Sequence, residues 1–317
     1  MNRVKFPTLM LGLSLASILC WAEEPTSDQA KLIAKIKKMD GTVTVDEERP
    51  DKPVVEVCLA YTSVTDAELA KLRGLPDIQS LDLLETKVTD AGLANIKALA
   101  HLEMLNLRNT EVTDAGLENL KGLPSLHSLG LGGTKVTDAG LLHLKGFSKF
   151  RELDLTLTKV TDAGLAHLSG LTSLEFLKLG STGVTDAGLV HLRGLSELQS
   201  LDIESTKVSD AGLVHLVGLT KLQSLVLVDT QVADAGLAHL KGLTKLQNLN
   251  LYHNKVTDAG LEHLQGLNKL RWLDVRRTQV TDKGVKKLRK ALLNCKILFI
   301  RNNDFGSRNV GPMANFG

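Results

Sequence analysis

The chain has 317 residues with 38 Lys and Arg against 36 Asp and Glu, so it lacks the basic excess of a nucleic-acid binder. Aromatic residues make up only 3% of it, while Leu, Val and Ala dominate, which suits many small identical cores better than one bulky core. Its length allows two ordinary domains, but an internal repeat would override that prior.

In chain order, residues 1–22 read as an export signal. Arg3 and Lys5 form a basic start, Leu9 to Leu19 an apolar stretch, and Cys20, Trp21 and Ala22 a cleavage site. The apolar run is shorter than the ~20 residues that span a bilayer, and no later stretch is apolar enough to do so. Leu19 stands where a lipid-attachment pattern wants a small residue, so cleavage after Ala22 is expected. Removal of Arg3 and Lys5 leaves the mature chain with no net charge. Residues 23–53 predict an N-terminal cap. Its elements are an amphipathic helix over 27–39 with Leu32, Ile33 and Ile36 on one side, then strands over 42–46 and 54–59 around a turn at Pro50 to Pro53.

From residue 54 to residue 300 one unit repeats. Val-Thr-Asp or a close variant begins at Val64, Val88, Val112, Val136, Val160, Val184, Val208, Val232, Val256 and Val280, always 24 residues apart. Read from Ile78, the unit is LxxLxLxxTxVTDAGLxxLxGL. Leu81 and Leu83 alternate with Asp82 and Leu84, which predicts a short strand with one face inward. Leu93, Ile96 and Leu99 are spaced by three, which predicts a helical stripe. Neither face can be buried within one unit, so stacked copies must supply the core. The product is a parallel sheet inside an arc with helices outside.

Within the unit, Asp66 to Asp282 are expected to cap the helices together with the preceding Thr. Gly74, Gly122, Gly146, Gly170, Gly194, Gly218, Gly242 and Gly266 are expected to close them in left-handed conformations. The last helix is expected over 283–293, the last strand over 297–300, and a disordered tail over 301–317.

This unit resembles the leucine-rich repeat family, whose LxxLxLxxN core it matches over residues 54–300, with Thr86 and its equivalents replacing an asparagine kept at Asn254 and Asn302. The VTDAGL continuation is similar to the helix-containing subfamily of ribonuclease inhibitor and F-box substrate receptors. The resemblance implies an α/β fold, a right-handed solenoid with a concave parallel sheet and convex helices. It also implies a monomeric binding scaffold for a protein or peptide, without catalysis, cofactor or metal. An F-box-type adaptor role is implied by the same resemblance. It is disfavoured by the export signal and by the lack of a separate helical domain before the repeats.

Several constellations have to be weighed against that scaffold. His143, His167, His191, His215, His239 and His263 recur at the repeat period, but they point outward on helices ~8 to 10 Å apart, too far for two to share a zinc. Ser205, Asp229 and His253 are the residue types of a hydrolase triad, yet Asp229 lies between the other two and holds them about 9.5 Å apart. Asp202 and Glu204 share a face, and an open sheet is expected to give too little desolvation to separate their pKa values. Gly130, Gly132 and Gly133 fall at a strand rather than a helix start, and read as a smooth spot. Lys283, Lys286, Lys287, Arg289 and Lys290 make the last helix basic, as a solvated cap. Cys58 and Cys295 are about ten strand spacings apart, far beyond disulfide reach, and are expected to be free thiols.

The sheet columns of residues 80, 82, 84 and 85 are mostly plain. The ninth and tenth repeats are not. There Asn248, Asn250, Tyr252 and His253 lie beside Trp272, Asp274, Arg276 and Arg277. Trp, Tyr and Arg are the types most enriched in binding hot spots, so these eight residues are the expected partner-binding site, with the even-numbered ones facing out.

Overall fold

The computed structural model describes residues 27–300; the expected signal, tail and Asn302 lie outside them. Twelve strands among the described residues form one sheet in chain order. The first two, Thr42–Val45 and Val54–Cys58, pair antiparallel. From Val54–Cys58 onward every neighbour is parallel and the register advances 24 residues per strand, as in Glu56 opposite Ser80, Ser80 opposite Met104 and Asn248 opposite Trp272. The sheet ends at Lys296–Leu298, so the solenoid is open.

The core is one continuous column. In a single repeat Val184, Leu189, Leu192, Leu195, Leu198, Leu201 and Ile203 are all at 0% exposure. Burying one such side chain contributes roughly 1.5–3 kcal/mol, and each lies against its counterpart in the next repeat, so no unit is stable alone.

The expectation of a full helix in every repeat is corrected. Most inner repeats have a single α-turn, such as Asp186–Leu189, followed by a 3-10 turn such as Val190–Leu192. A spacing of three is the period of the 3-10 helix, in which i and i+3 eclipse. Longer helices close the two ends, at Ser27–Lys38 and Asp282–Ala291.

The repeat aspartates do not cap their own helices. Thr89 does so, its hydroxyl accepting from the Ala91 amide, and Thr113, Thr137, Thr185, Ser209, Thr257 and Thr281 do the same. Asp66 reaches the next repeat instead, where one oxygen accepts from the Thr89 amide at 2.8 Å and the other from its hydroxyl at 2.7 Å. The same double link recurs down to Asp258 and Thr281. It is halved at Asp210, which meets only the Ala233 amide because Ala233 has no hydroxyl. This ladder explains the glycine of VTDAGL: a Cβ at Gly188 would stand 2.4 Å from an oxygen of Asp162.

The helix-closing glycines are corrected as well. Of the eight named, only Gly146 has a positive φ, at 95°. The left-handed position lies just after each strand, in the column Tyr61, Glu85, Asn109, Gly133, Leu157, Ser181, Ser205, Asp229, His253 and Arg277. There the chain turns away from the sheet, and Thr86 stabilises the turn by donating its hydroxyl to the Leu83 carbonyl at 2.8 Å. Asn254 does more, donating to carbonyls of its own repeat and of Leu227 in the preceding one.

Candidate binding face

Alternation leaves one face of the sheet open. In the column of Asp82 a side-chain oxygen accepts from the amide two residues on, a turn closed by Asp82, Asn106, Asp154, Asp202, Asn250 and Asp274. This role was not legible as a repeat feature, since Gly130, Lys178 and Val226 interrupt the column.

At the C-terminal strands the eight expected site residues fall into two groups. Tyr252, His253, Asp274, Arg276 and Arg277 come together. The Tyr252 ring has the guanidinium carbons of Arg276 and Arg277 each 5.5 Å from its centroid, a geometry in which the ring quadrupole attracts both cations. Arg276 is fixed in turn by Asp274, with Nε 3.0 Å from both carboxylate oxygens and a terminal nitrogen 2.6 Å from Oδ2. This pairing raises the Arg276 pKa above its ordinary value. His253 Nδ1 lies 2.8 Å from Asp229. Asn248 and Trp272 face each other in register one row away, and Asn250 is committed to its turn with the Tyr252 amide.

One expectation about this cluster is overturned. Asp274 is not an outward contact: it is 1% exposed beneath Arg276. Arg276 is therefore not a side chain that can be truncated without consequence, because its loss leaves a buried carboxylate unpaired.

A second feature lies in the middle of the face, and sequence reasoning passed over it. A depression of about 300 Å³ is lined by Met104, Arg108, Gly130, Asp154, Phe176 and Lys178, among others. The glycines there are not simply smooth. The Arg108 arm crosses their strand to bring Nε 3.4 Å from Asp154, two strands away, and a Cβ at Gly132 would stand 3.2 Å from that nitrogen. Met104 and Phe176, 41% and 39% exposed, flank the hollow. Between them Ser128 donates to Glu152 at 2.9 Å. The signal was available in the sequence as Met104 and Phe176, two apolar residues in a column filled by Ser, Glu and Asn from Glu56 to Asn248.

The open sheet does desolvate one acid. Burial pushes Asp202 up to about 6, with a smaller push from Glu204, contrary to the expectation of unshifted carboxylates. Both side chains are engaged locally. Asp202 is bonded to the Glu204 amide, while Glu204 folds back over Gly180, where a Cβ would stand 2.8 Å from its Cγ. His253 and Asp229 are each 56% exposed, and Ser205 takes no part in their pair. The recurrent histidines are half-buried; His215 is lowered by burial and by Arg193, whose Nε donates to its Nδ1 at 3.0 Å. Among the described residues no group of three His, Cys, Asp or Glu could hold a metal ion. Cys58 and Cys295 are both free, and burial pushes Cys295 up to about 11. No helix among the described residues is long and apolar enough to cross a membrane.

Comparison with known proteins agrees with this geometry. Residues 134–298 match the model of a leucine-rich repeat region, and residues 98–121 that of a leucine-rich repeat. No curated protein matches the chain. Among solved structures, internalin C2 of Listeria monocytogenes is 29% identical, with a TM-score of 0.53 over 66% of this chain and 84% of that one. The internalin inlF of the same organism is 22% identical, with a TM-score of 0.60 over 87% and 89%. A plant peptide hormone receptor, RGFR1 in complex with RGF2, is 16% identical at a TM-score of 0.54, covering 78% of this chain and 40% of the receptor. The last two likenesses concern the fold alone, and none of the matches singles out the ribonuclease-inhibitor or F-box subfamily. With a family model spanning more than half its length and an open parallel solenoid built on that repeat, the chain belongs to the leucine-rich repeat family.

Proposed function

We propose that the chain is an exported, non-catalytic scaffold that holds a protein or peptide on the open face of its sheet. Leucine-rich repeat proteins are in general protein-binding scaffolds; the export, the binding face and the absence of catalysis in this member are our reading. The observation that carries it is the preorganised C-terminal cluster, where Tyr252 is held by two guanidiniums, with Trp272 opposite Asn248 on the same pair of neighbouring strands. A rigid aromatic surface lowers the ordering entropy of association. Export is supported by the basic, apolar and small-residue order of residues 1–22.

The experiment is photo-crosslinking in the native host from a probe at Asn248, with a second probe at Arg193 on the helical side as control. A partner joined from Asn248 and not from Arg193 is expected. Trp272→Ala should then weaken that partner's binding by about 2 kcal/mol with the melting temperature unchanged. Equal crosslinking from both sides, or unchanged affinity in the variant, would place the contact elsewhere.

A further inference from the structure

The charge balance of the chain breaks at its C-terminal end. Residues 27–268 carry 24 Lys and Arg against 31 Asp and Glu, whereas residues 269–300 carry ten against two. The helix Asp282–Ala291 buries Gly284, Val285 and Leu288 against the last repeat and leaves Lys283, Lys286, Arg289 and Lys290 exposed. Lys287 is neutralised by Glu262 at 2.6 Å. No carboxylate among the described residues pairs with the other four. Two residues past the helix Leu293 is 84% exposed, more than any other large apolar side chain described.

A terminal repeat must present a polar surface to water, and bases in a last helical turn suit the helix dipole. Those needs do not explain what is seen here. The other end of the solenoid meets the same requirement with mixed charge, six bases and seven acids over residues 27–58. At the C-terminal end no acid follows Asp282 before residue 300, and Leu293 is left bare among the cations. Leu298 and Ile300 are half-exposed on and just beyond the last strand. These four cations are mostly lysines, diffuse point charges rather than a fork shaped for one carboxylate. Bases on an exposed helical face with an apolar side chain at its end are the composition of a bilayer-surface contact, in which the leucine enters the interface beneath the head groups.

We propose that the C-terminal cap docks on the surface of an anionic phospholipid bilayer. The contact is separate from the open face of the sheet and does not depend on what that face binds. Flotation of the full chain with phosphatidylglycerol-containing vesicles is the test, against pure phosphatidylcholine vesicles that measure any apolar background. The anionic vesicles should recover roughly tenfold or more protein at low salt, and about 0.5 M salt should remove most of the difference. The triple variant Lys286→Glu, Arg289→Glu, Lys290→Glu should lose the difference. A control with the same charge change on the distant loops, Lys121→Glu, Lys145→Glu, Lys149→Glu, should keep it. Leu293→Ser should weaken recovery several-fold with all charges intact, and it carries the test if the triple variant fails to fold by circular dichroism. Equal recovery on both vesicle types, or equal loss in both triple variants, overturns the proposal. So does a chain that ignores vesicles and binds polyaspartate, which would make an acidic protein the occupant.

Discussion

The C-terminal cluster and the central depression lie on the same sheet, on the same turn scaffold, and use the same pair of residue types, yet they are built in opposite ways. At the C-terminal strands Arg276 folds onto Asp274 two residues away, buries it to 1% exposure and packs Tyr252 from one side. At the centre Arg108 reaches across two strands to Asp154, and its own side chain remains 43% exposed. The first arrangement is a closed, hydrogen-bonded pair beneath an aromatic surface. The second is a stretched contact across a hollow, and the Arg108 Nε is buried without a hydrogen bond. The difference lies in the residue two positions after the acid: Arg276 stands there after Asp274, whereas Thr156 stands there after Asp154 and the base must come from elsewhere. An identical repeat backbone therefore supports both a preorganised contact and an open one.

The largest effect expected from this contrast is a matched pair of substitutions. Asp274→Asn and Asp154→Asn both keep an oxygen for the turn amide and remove only the charge. Asp274→Asn should lower unfolding free energy by about 3 kcal/mol, because it leaves a largely covered guanidinium without its partner. Asp154→Asn should change it by less than about 1 kcal/mol, because the contact is stretched and the Arg108 side chain is 43% exposed. Urea titration measures both, and equal effects would remove the distinction between the two regions.

Asp202, between the two regions, sharpens the comparison through pH. Its folded pKa of about 6 lies above its ordinary value of 3.8, so the folded state holds the proton more tightly than the unfolded one. The sign follows: this group's stabilising contribution is complete below about pH 4 and is lost as pH rises to about 6. Asp202→Asn should therefore be more stable than the parent at pH 7.5 by about 1 kcal/mol, a figure reduced for the part of the side chain that water still reaches. The gap should close toward pH 4. A gap independent of pH would mean that burial does not shift this carboxyl.

The smallest effect concerns the joint between the regions. Asp210 makes one hydrogen bond to Ala233 where its equivalents make two to a Thr or Ser. Ala233→Thr restores the hydroxyl both as acceptor for its own helix and as donor to Asp210. It should stabilise the chain by roughly 0.5–1 kcal/mol, read as a rise in melting temperature.

Much of this architecture was legible because repetition averages out ambiguity: ten phased copies of Val-Thr-Asp or a close variant announce a stack, and Leu81 and Leu83 alternate as a strand must. The sequence pointed to the C-terminal strands because Trp272 and Tyr252 interrupt plain columns, and five of the eight residues named there come together. Contacts between repeats were not legible. Asp66 looks like a cap for its own helix, since the nearest amides along the chain belong to it, but folding brings the amide of Thr89, 23 residues on, to 2.8 Å. Gly188 looks like a helix residue with no special demand until the carboxylate of Asp162 arrives beside it. The chain by itself determined the period, the buried stripe and the parallel sheet, because those depend on spacing along one segment. Which acid meets which donor across repeats, why Arg108 is stretched, and where the hollow opens were decided only by the stack, because those contacts join residues about 24 or more positions apart whose side chains choose among several partners once the strands are in register.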